Sequence, residues 1–242
     1  LPGTEDLKEE FDKEGADFHQ IVADMAKISR KQAKTINLGL FYGMGKIKLQ
    51  AELGLDKTGA KKLFDEYHGK VPFVRQLSQD LIQFATENKL LFTLYDRFCR
   101  FNKWETTNKE WDPSINRFKP VKLYTLEEAK EAYKAEMLEK YKENKIDSNY
   151  MDFFDVYYTP AFTYKALNRL IQGSAADMTK KAMVDLYEKG IIPHIQIHDE
   201  LCISIKDEET RITVQETMEQ AIPLEVKNKV DYESGPNWGT IE

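Results

Sequence analysis

From Asp17 to about Met44 the chain carries no proline, and Ile28, Ile36, Leu40 and Phe41 supply an apolar side among polar positions. That pattern predicts one helix, punctuated by Gly43 and Gly45. A second helix is predicted to start after Asp56, an N-cap candidate, and to run to Gly69, and a third to follow Pro72 and end near Asn88. Leu90 to Phe101 reads as extended. Thr125 and Glu128 have capping-box spacing ahead of the stripe Leu126, Ala129, Tyr133, Met137 and Tyr141, the pattern of a charged helix docked on a neighbour. Ala161 to Lys189 forms a long helical pattern stopped by Gly190, and Ile191 to Ile205 alternates as two short strands. The fold class that follows is α+β, dominated by helices.

Composition bounds the problem without solving it. The 242 residues, 41% hydrophobic and 31% charged, suffice for a buried core and exclude a wholly disordered chain. A formal net charge of −6 argues against a small basic nucleic-acid module. The charge is unevenly spread, however: residues 27 to 62 hold nine Lys and Arg against Glu52 and Asp56 alone, whereas residues 1 to 18 are strongly acidic. A phosphate-rich partner fits the basic stretch, as does a solvated helix face. The two cysteines, Cys99 and Cys202, form no CxxC pair, which excludes a disulfide scaffold or cysteine-rich zinc module and fits a reducing compartment. No apolar run approaches the roughly 18 residues needed to span a bilayer. The chain does not begin with Met, so it is expected to be part of something longer.

Three constellations carry candidate chemistry. Arg30, Lys34, Leu38 and Tyr42 stand four apart. On a helix each turns about 40° past the last, so all lie in a stripe about 120° wide and about 18 Å long. Two cations, an apolar contact and a phenol on one face suit a nucleoside triphosphate, with cations toward the phosphates and apolar and aromatic surface toward sugar and base. An amphipathic helix with an ordinary basic side has the same pattern. Gly39 weighs toward a ligand, because a glycine inside a helix costs about 1 kcal/mol relative to alanine and hints at close approach by something. His19, about three turns earlier, is a further phosphate donor.

His198, Asp199 and Glu200 fall between two alternating runs, which places both carboxylates at a hairpin turn. Oxygen ligands at an exposed tip suit Mg²⁺, although a solvated turn looks the same. Zinc is disfavoured, since His194 and His198 would stand about 13 Å apart on a strand. In the third constellation Asn168 and Gln172 lie one helical turn apart among apolar neighbours. Their amides can donate to the minor-groove acceptors that every base pair presents, or can cap a buried helix contact.

Taken together, Arg-x3-Lys-x7-Tyr-Gly, then Gln-Gly-Ser-Ala-Ala-Asp, then His-Asp-Glu about 26 residues after Gln172, resemble the C-terminal part of the family A DNA polymerases. Ala16-Asp17-Phe18-His19, Thr93-Leu94-Tyr95-Asp96-Arg97 and Gly235-Pro236-Asn237-Trp238 extend the likeness over nearly the whole chain outside residues 102–160. That segment, Ala166-Leu167-Asn168 and the Gly-Pro-Asn-Trp ending look most like bacteriophage members.

The resemblance implies a helical fingers subdomain over residues 1–160, with a nucleotide-binding helix at about 27–44 and a charged helical insertion at about 102–160. It implies the C-terminal half of a palm, with a partial antiparallel sheet, over 161–242. By the same resemblance His19, Arg30 and Lys34 would hold the triphosphate of a dNTP, with Lys34 the acid for the leaving pyrophosphate. Leu38 would lie next to the incoming sugar and Tyr42 by the templating base. Asp199 would bind catalytic Mg²⁺ with Glu200 close by, while His198 would meet the primer end, Asn168 and Gln172 the minor groove, and Arg97 the primer-template DNA. The implied activity is DNA-directed DNA synthesis in the cytoplasm, that of a bacterial host if phage-encoded.

Three departures qualify this. The family's Asp-Tyr-Ser-x-x-Glu-x-Arg motif, with its second metal-binding aspartate, is absent. The chain alone is therefore expected not to extend primers and to need an N-terminal portion, in the same chain or a separate subunit. Leu38 stands where the family usually has Phe or Tyr, and Asp96 where relatives often have glycine. The alternative reading is a non-catalytic DNA- or nucleotide-binding module of the same fold.

Overall fold

The structure, a computed structural model, describes residues 17, 19–20, 23, 28–41, 44–70, 72–112, 117–119, 121–141 and 150–240. The α+β expectation holds: helices dominate, and the strands form two-stranded antiparallel sheets. The chain divides into two compact units that interleave along the sequence, one of residues 1–76, 93–96 and 168–242, the other of 77–92 and 97–167.

In the first unit, α1 spans Arg30–Phe41, α2 Lys46–Leu53 and α3 Lys57–Lys70, and α4, Pro72–Asn88, begins there. The expected unbroken helix from Asp17, and with it the range 27–44, is corrected, since Ile28 and Ser29 are not helical. The cause is local chemistry. Ser29 Oγ accepts the Gln32 N–H at 3.3 Å while Gln32 Oε1 accepts the Ser29 N–H at 3.1 Å, a reciprocal cap that fixes the start of α1. Helix α2 was not expected; Gly45 precedes it in extended conformation and Gly54 ends it at φ +63°. Asp56 caps α3 as expected, accepting the Gly59 N–H at 2.6 Å. Ala33, Ile36 and Leu40 of α1 pack with Leu49, Leu63, Tyr67 and Val74, burying one face of every helix in the group.

Later in the same unit come α7 (Ala166–Glu188) from Asn168 onward, the hairpin β7 (Ile195–Ile197) with β8 (Glu200–Cys202), and α8 (Glu208–Glu219). Gly190, at φ +75°, turns the chain out of α7. Lys189 Nζ donates to Thr217 Oγ1 at 2.6 Å, tying the end of α7 to α8.

The second unit holds the hairpin β1 (Leu90–Phe92) with β2 (Phe98–Arg100), and then the segment expected to be an insertion. The latter contains β3 (Trp104–Thr106), β4 (Trp111–Asp112), β5 (Arg117–Phe118), α5 (Leu126–Lys140), α6 (Phe154–Tyr157) and β6 (Tyr158–Pro160). Strand β3 pairs with β6, Trp104 opposite Pro160, and Ala161 N–H donates to Lys103 O at 2.7 Å. The segment thus leaves and rejoins the chain at one place. Its capping box is present, Thr125 N–H to Glu128 Oε2 at 2.7 Å and Glu128 N–H to Thr125 Oγ1 at 3.2 Å. Ala129, Tyr133 and Met137 are buried against Trp104, Phe154 and Tyr158. Tyr141 is a correction to the stripe, since it is exposed at the end of α5.

Candidate active site

Helix α1 presents Arg30, Lys34 and Leu38 to solvent while Ala33, Ile36 and Leu40 face the core. These three candidate residues therefore share one open face, as their spacing requires. Tyr42, the fourth, lies outside the described residues. Gly39 receives a different explanation from the expected one. A Cβ built there would stand 1.7 Å from Met44 Cε, so the group that approaches closely is the chain's own thioether.

His19 is tied to this helix from the side. Asp17 Oδ1 accepts the backbone N–H groups of His19 (2.9 Å) and Gln20 (3.1 Å), and its Oδ2 accepts Arg30 Nε at 2.5 Å. The Arg30 guanidinium is the main reason that the Asp17 carboxyl is held below the usual range, with the two backbone donors assisting. Asn37, buried on α1, places its Nδ2 3.2 Å from His19 Nδ1. Sequence reasoning assigned no role to Asp17 or Asn37, though both stand inside quoted motifs.

The hairpin tip is a two-residue loop, His198-Asp199, with Ile197 opposite Glu200. Glu200 therefore begins β8 rather than sharing the turn, which corrects the expectation that both carboxylates sit in it. His198 adopts φ +53°, a left-handed conformation that histidine tolerates better than a β-branched residue. Asp199 and Glu200 are both exposed. Cys202 Sγ lies 3.6 Å from Glu200 Oε1, and burial followed by that carboxylate pushes the thiol pKa up, leaving it protonated at neutral pH.

Adjacent carboxylates suit Mg²⁺, which takes one or two of them and fills its octahedron with waters and phosphates. The pair Asp199 and Glu200 fits that use. Among the described residues no group of three or more His, Cys, Asp or Glu is placed to hold a metal ion.

On α7, Asn168 is half-buried and Gln172 exposed one turn later. The same helix anchors the turn Thr93–Asp96. Thr93 Oγ1 donates to Asp177 Oδ2 at 2.6 Å, with both residues buried, and Ser174 Oγ accepts the Leu94 N–H at 3.0 Å while donating to Leu170 O at 2.7 Å. These partners stand about eighty residues apart, so no local signal could have paired them. Asp96 closes the turn at φ +55°, with its N–H donating to Thr93 O at 3.1 Å. Aspartate tolerates that region, which accounts for its presence where glycine was expected. Arg97 follows, exposed, and belongs to the second unit.

A model of DNA polymerase family A matches residues 1–240. The chain belongs to DNA polymerase family A. Among its family A relatives, the DNA-directed DNA polymerase of Pseudomonas phage M6 is 31% identical over 257 residues, covering 92% of this chain and 31% of that protein. DNA polymerase I of Geobacillus stearothermophilus is 29% identical over 230 residues, covering 91% of this chain and 21% of that protein. The chain thus spans a third or less of the length of these relatives. The fold is shared with the solved POL domain of Pol1 from M. smegmatis in complex with DNA primer-template and dNTP. That likeness has a TM-score of 0.60 at 23% identity and covers 91% of this chain and 34% of that one. Family A polymerases are generally metal-dependent. No helix among the described residues is long and apolar enough to cross a membrane.

Proposed function

We propose that this chain supplies the fingers and the C-terminal half of the palm of a DNA-templated DNA polymerase, acting in the cytoplasm, that of a bacterial host if phage-encoded. The observation that carries the reading is the open face of α1, with Arg30, Lys34 and Leu38 exposed in line on a helix whose other face is locked into a core. Residues 1–160, with the insertion at 102–160, serve as fingers in this reading, and residues 161–242 as the palm half.

The reaction joins the primer 3′-oxygen, whose hydroxyl proton passes to solvent, to the α-phosphorus of a dNTP and breaks the bond to pyrophosphate. Arg30 and His19 hold the triphosphate oxygens by charge-assisted or direct hydrogen bonds. Lys34 Nζ donates its proton to the departing pyrophosphate oxygen. Leu38 lies against the sugar and Tyr42 beside the templating base. Asn168 and Gln172 donate into the minor groove, His198 meets the primer end, and Arg97 contacts the primer-template. Asp199, with Glu200 beside it, would hold Mg²⁺, whose chemistry is to activate the 3′-hydroxyl and neutralise charge on the phosphates.

The remaining ligands are proposed to come from the N-terminal portion, in the same chain or as a separate subunit. The uncovered hairpin supports this: none of the residues of β7 and β8 is buried, and Ile195 is 42% exposed, as expected where further strands complete a sheet. A second reading, a non-catalytic DNA- or nucleotide-binding module, is favoured by the absence of a three-ligand cluster among the described residues.

Primer extension separates the two. The 242-residue chain alone should not extend a primer, and a polymerase completed with the N-terminal portion should do so in Mg²⁺. In that completed enzyme Asp199→Ala should abolish extension, and Lys34→Ala should lower kcat by about 10²- to 10⁴-fold. A completed protein that binds dNTP and DNA without extending establishes the binding module instead.

A further inference from the structure

We propose that Asp17 and Asn37 are positioning residues of the triphosphate site, the first setting the Arg30 guanidinium and the second fixing which nitrogen of His19 carries its proton. The inference rests on the nucleotide-binding reading of α1.

Asn37 lies seven residues beyond Arg30, two turns up the helix and turned about 20° back from it, at the border between open stripe and core. The segment bearing His19 therefore runs beside α1 and is fastened at two points about 10 Å apart along its axis. At the lower point Asp17 does two things at once. Its Oδ1 accepts the first N–H groups of the turn carrying His19, and its Oδ2 takes Arg30 Nε. The contact uses Nε, and a guanidinium has five N–H donors, so a bidentate phosphate contact through the Nη groups is retained. An exposed arginine is thereby denied most of its rotamers before any anion arrives, which reduces the ordering cost of binding.

At the upper point the chemistry is directional. In the amide orientation of the structure Asn37 Nδ2, which only donates, stands 3.2 Å from His19 Nδ1, and we assign that nitrogen as the acceptor. A neutral imidazole whose Nδ1 accepts carries its proton on Nε2. The neutral ring then offers an N–H donor on its other edge.

The test uses the polymerase that contains this chain, labelled with ¹⁵N-histidine, with His19 signals assigned from a His19→Gln variant. The Nε2–H tautomer is expected, and Asn37→Asp should invert it, because a carboxylate only accepts and draws the proton to Nδ1. A wild-type His19 protonated at Nδ1 overturns the role of Asn37. Equilibrium titration with dATP and with inorganic tripolyphosphate supplies the second readout. Asp17→Ala and Asn37→Leu should each weaken both ligands about tenfold, the effect of losing one hydrogen-bonding constraint of about 1.4 kcal/mol. The Asn37→Leu effect should disappear in a His19→Ala background, as expected of residues acting through one another. If Arg30→Ala weakens binding and neither positioning variant does, this inference fails while the nucleotide site stands. If Arg30→Ala also leaves binding unchanged, the nucleotide-site reading itself falls.

Discussion

The segment 104–160 and the β7–β8 hairpin are built on opposite plans. Residues 104–160 bring a buried aromatic cluster with them, in which Phe154 and Tyr158 stack with ring centroids 5.4 Å apart and Tyr133 and Trp104 close the sides. The hairpin has two short strands, no buried residue and two exposed carboxylates at and beside its tip. The chain leading into it is held by the Ile191 N–H to Leu186 O bond at 2.9 Å, and its two arms are joined beyond the strands by His194 N–H to Cys202 O at 2.9 Å. One region finishes itself, and the other, in the proposed reading, is completed from outside. Side chains that stabilise the fold and side chains that do the proposed chemistry are therefore largely different ones, and substitutions can separate them.

The largest stability effect is expected inside the segment 104–160. Phe154→Ala should cost about 3–5 kcal/mol, because it empties a ring-lined core position, and thermal unfolding would show it. Nucleotide affinity should change little; a matching loss of affinity would show that the two plans are not separate. Thr93→Val is intermediate. It removes the donor to Asp177 and should cost about 1–3 kcal/mol, with Thr93→Ser restoring most of it, as read by denaturant midpoint. The smallest stability effect, within about 0.5 kcal/mol, is expected for Leu38→Phe on the open face of α1. There the change should appear in chemistry instead, as an altered ratio of dideoxynucleotide to deoxynucleotide use in the completed enzyme. An unchanged ratio would remove Leu38 from the sugar contact.

What the sequence discloses follows the range of the interaction. The open stripe of α1, the caps at Asp56 and Thr125, and the α5 stripe up to Met137 depend on residues three or four apart, and they stand where spacing put them. Ser29 and Gln32 have the same capping spacing, a local signal that was present and outweighed by the lack of proline between Asp17 and Met44. Helix α2 escaped because its eight residues bury only Leu49 and sit between glycines. Gly39 misled for an instructive reason: a missing Cβ records that something is close but not whether it is a ligand or a methionine five residues on. The Thr93–Asp177 and Ser174–Leu94 contacts were beyond reach altogether, since each side chain is ordinary in its own neighbourhood and gains meaning only when the chain returns to it.

The pairing of β3 with β6 also bears on how such a chain can change over time. The segment departs at Lys103 and returns at Ala161, where the Ala161 N–H donates to Lys103 O at 2.7 Å, so its two ends meet whatever length lies between them. A lineage can enlarge, trim or exchange that stretch at one junction, in one genetic step. Protein engineers inherit the same freedom: the junction is a ready-made socket, where a short turn or a foreign module could be spliced in place of residues 104–160.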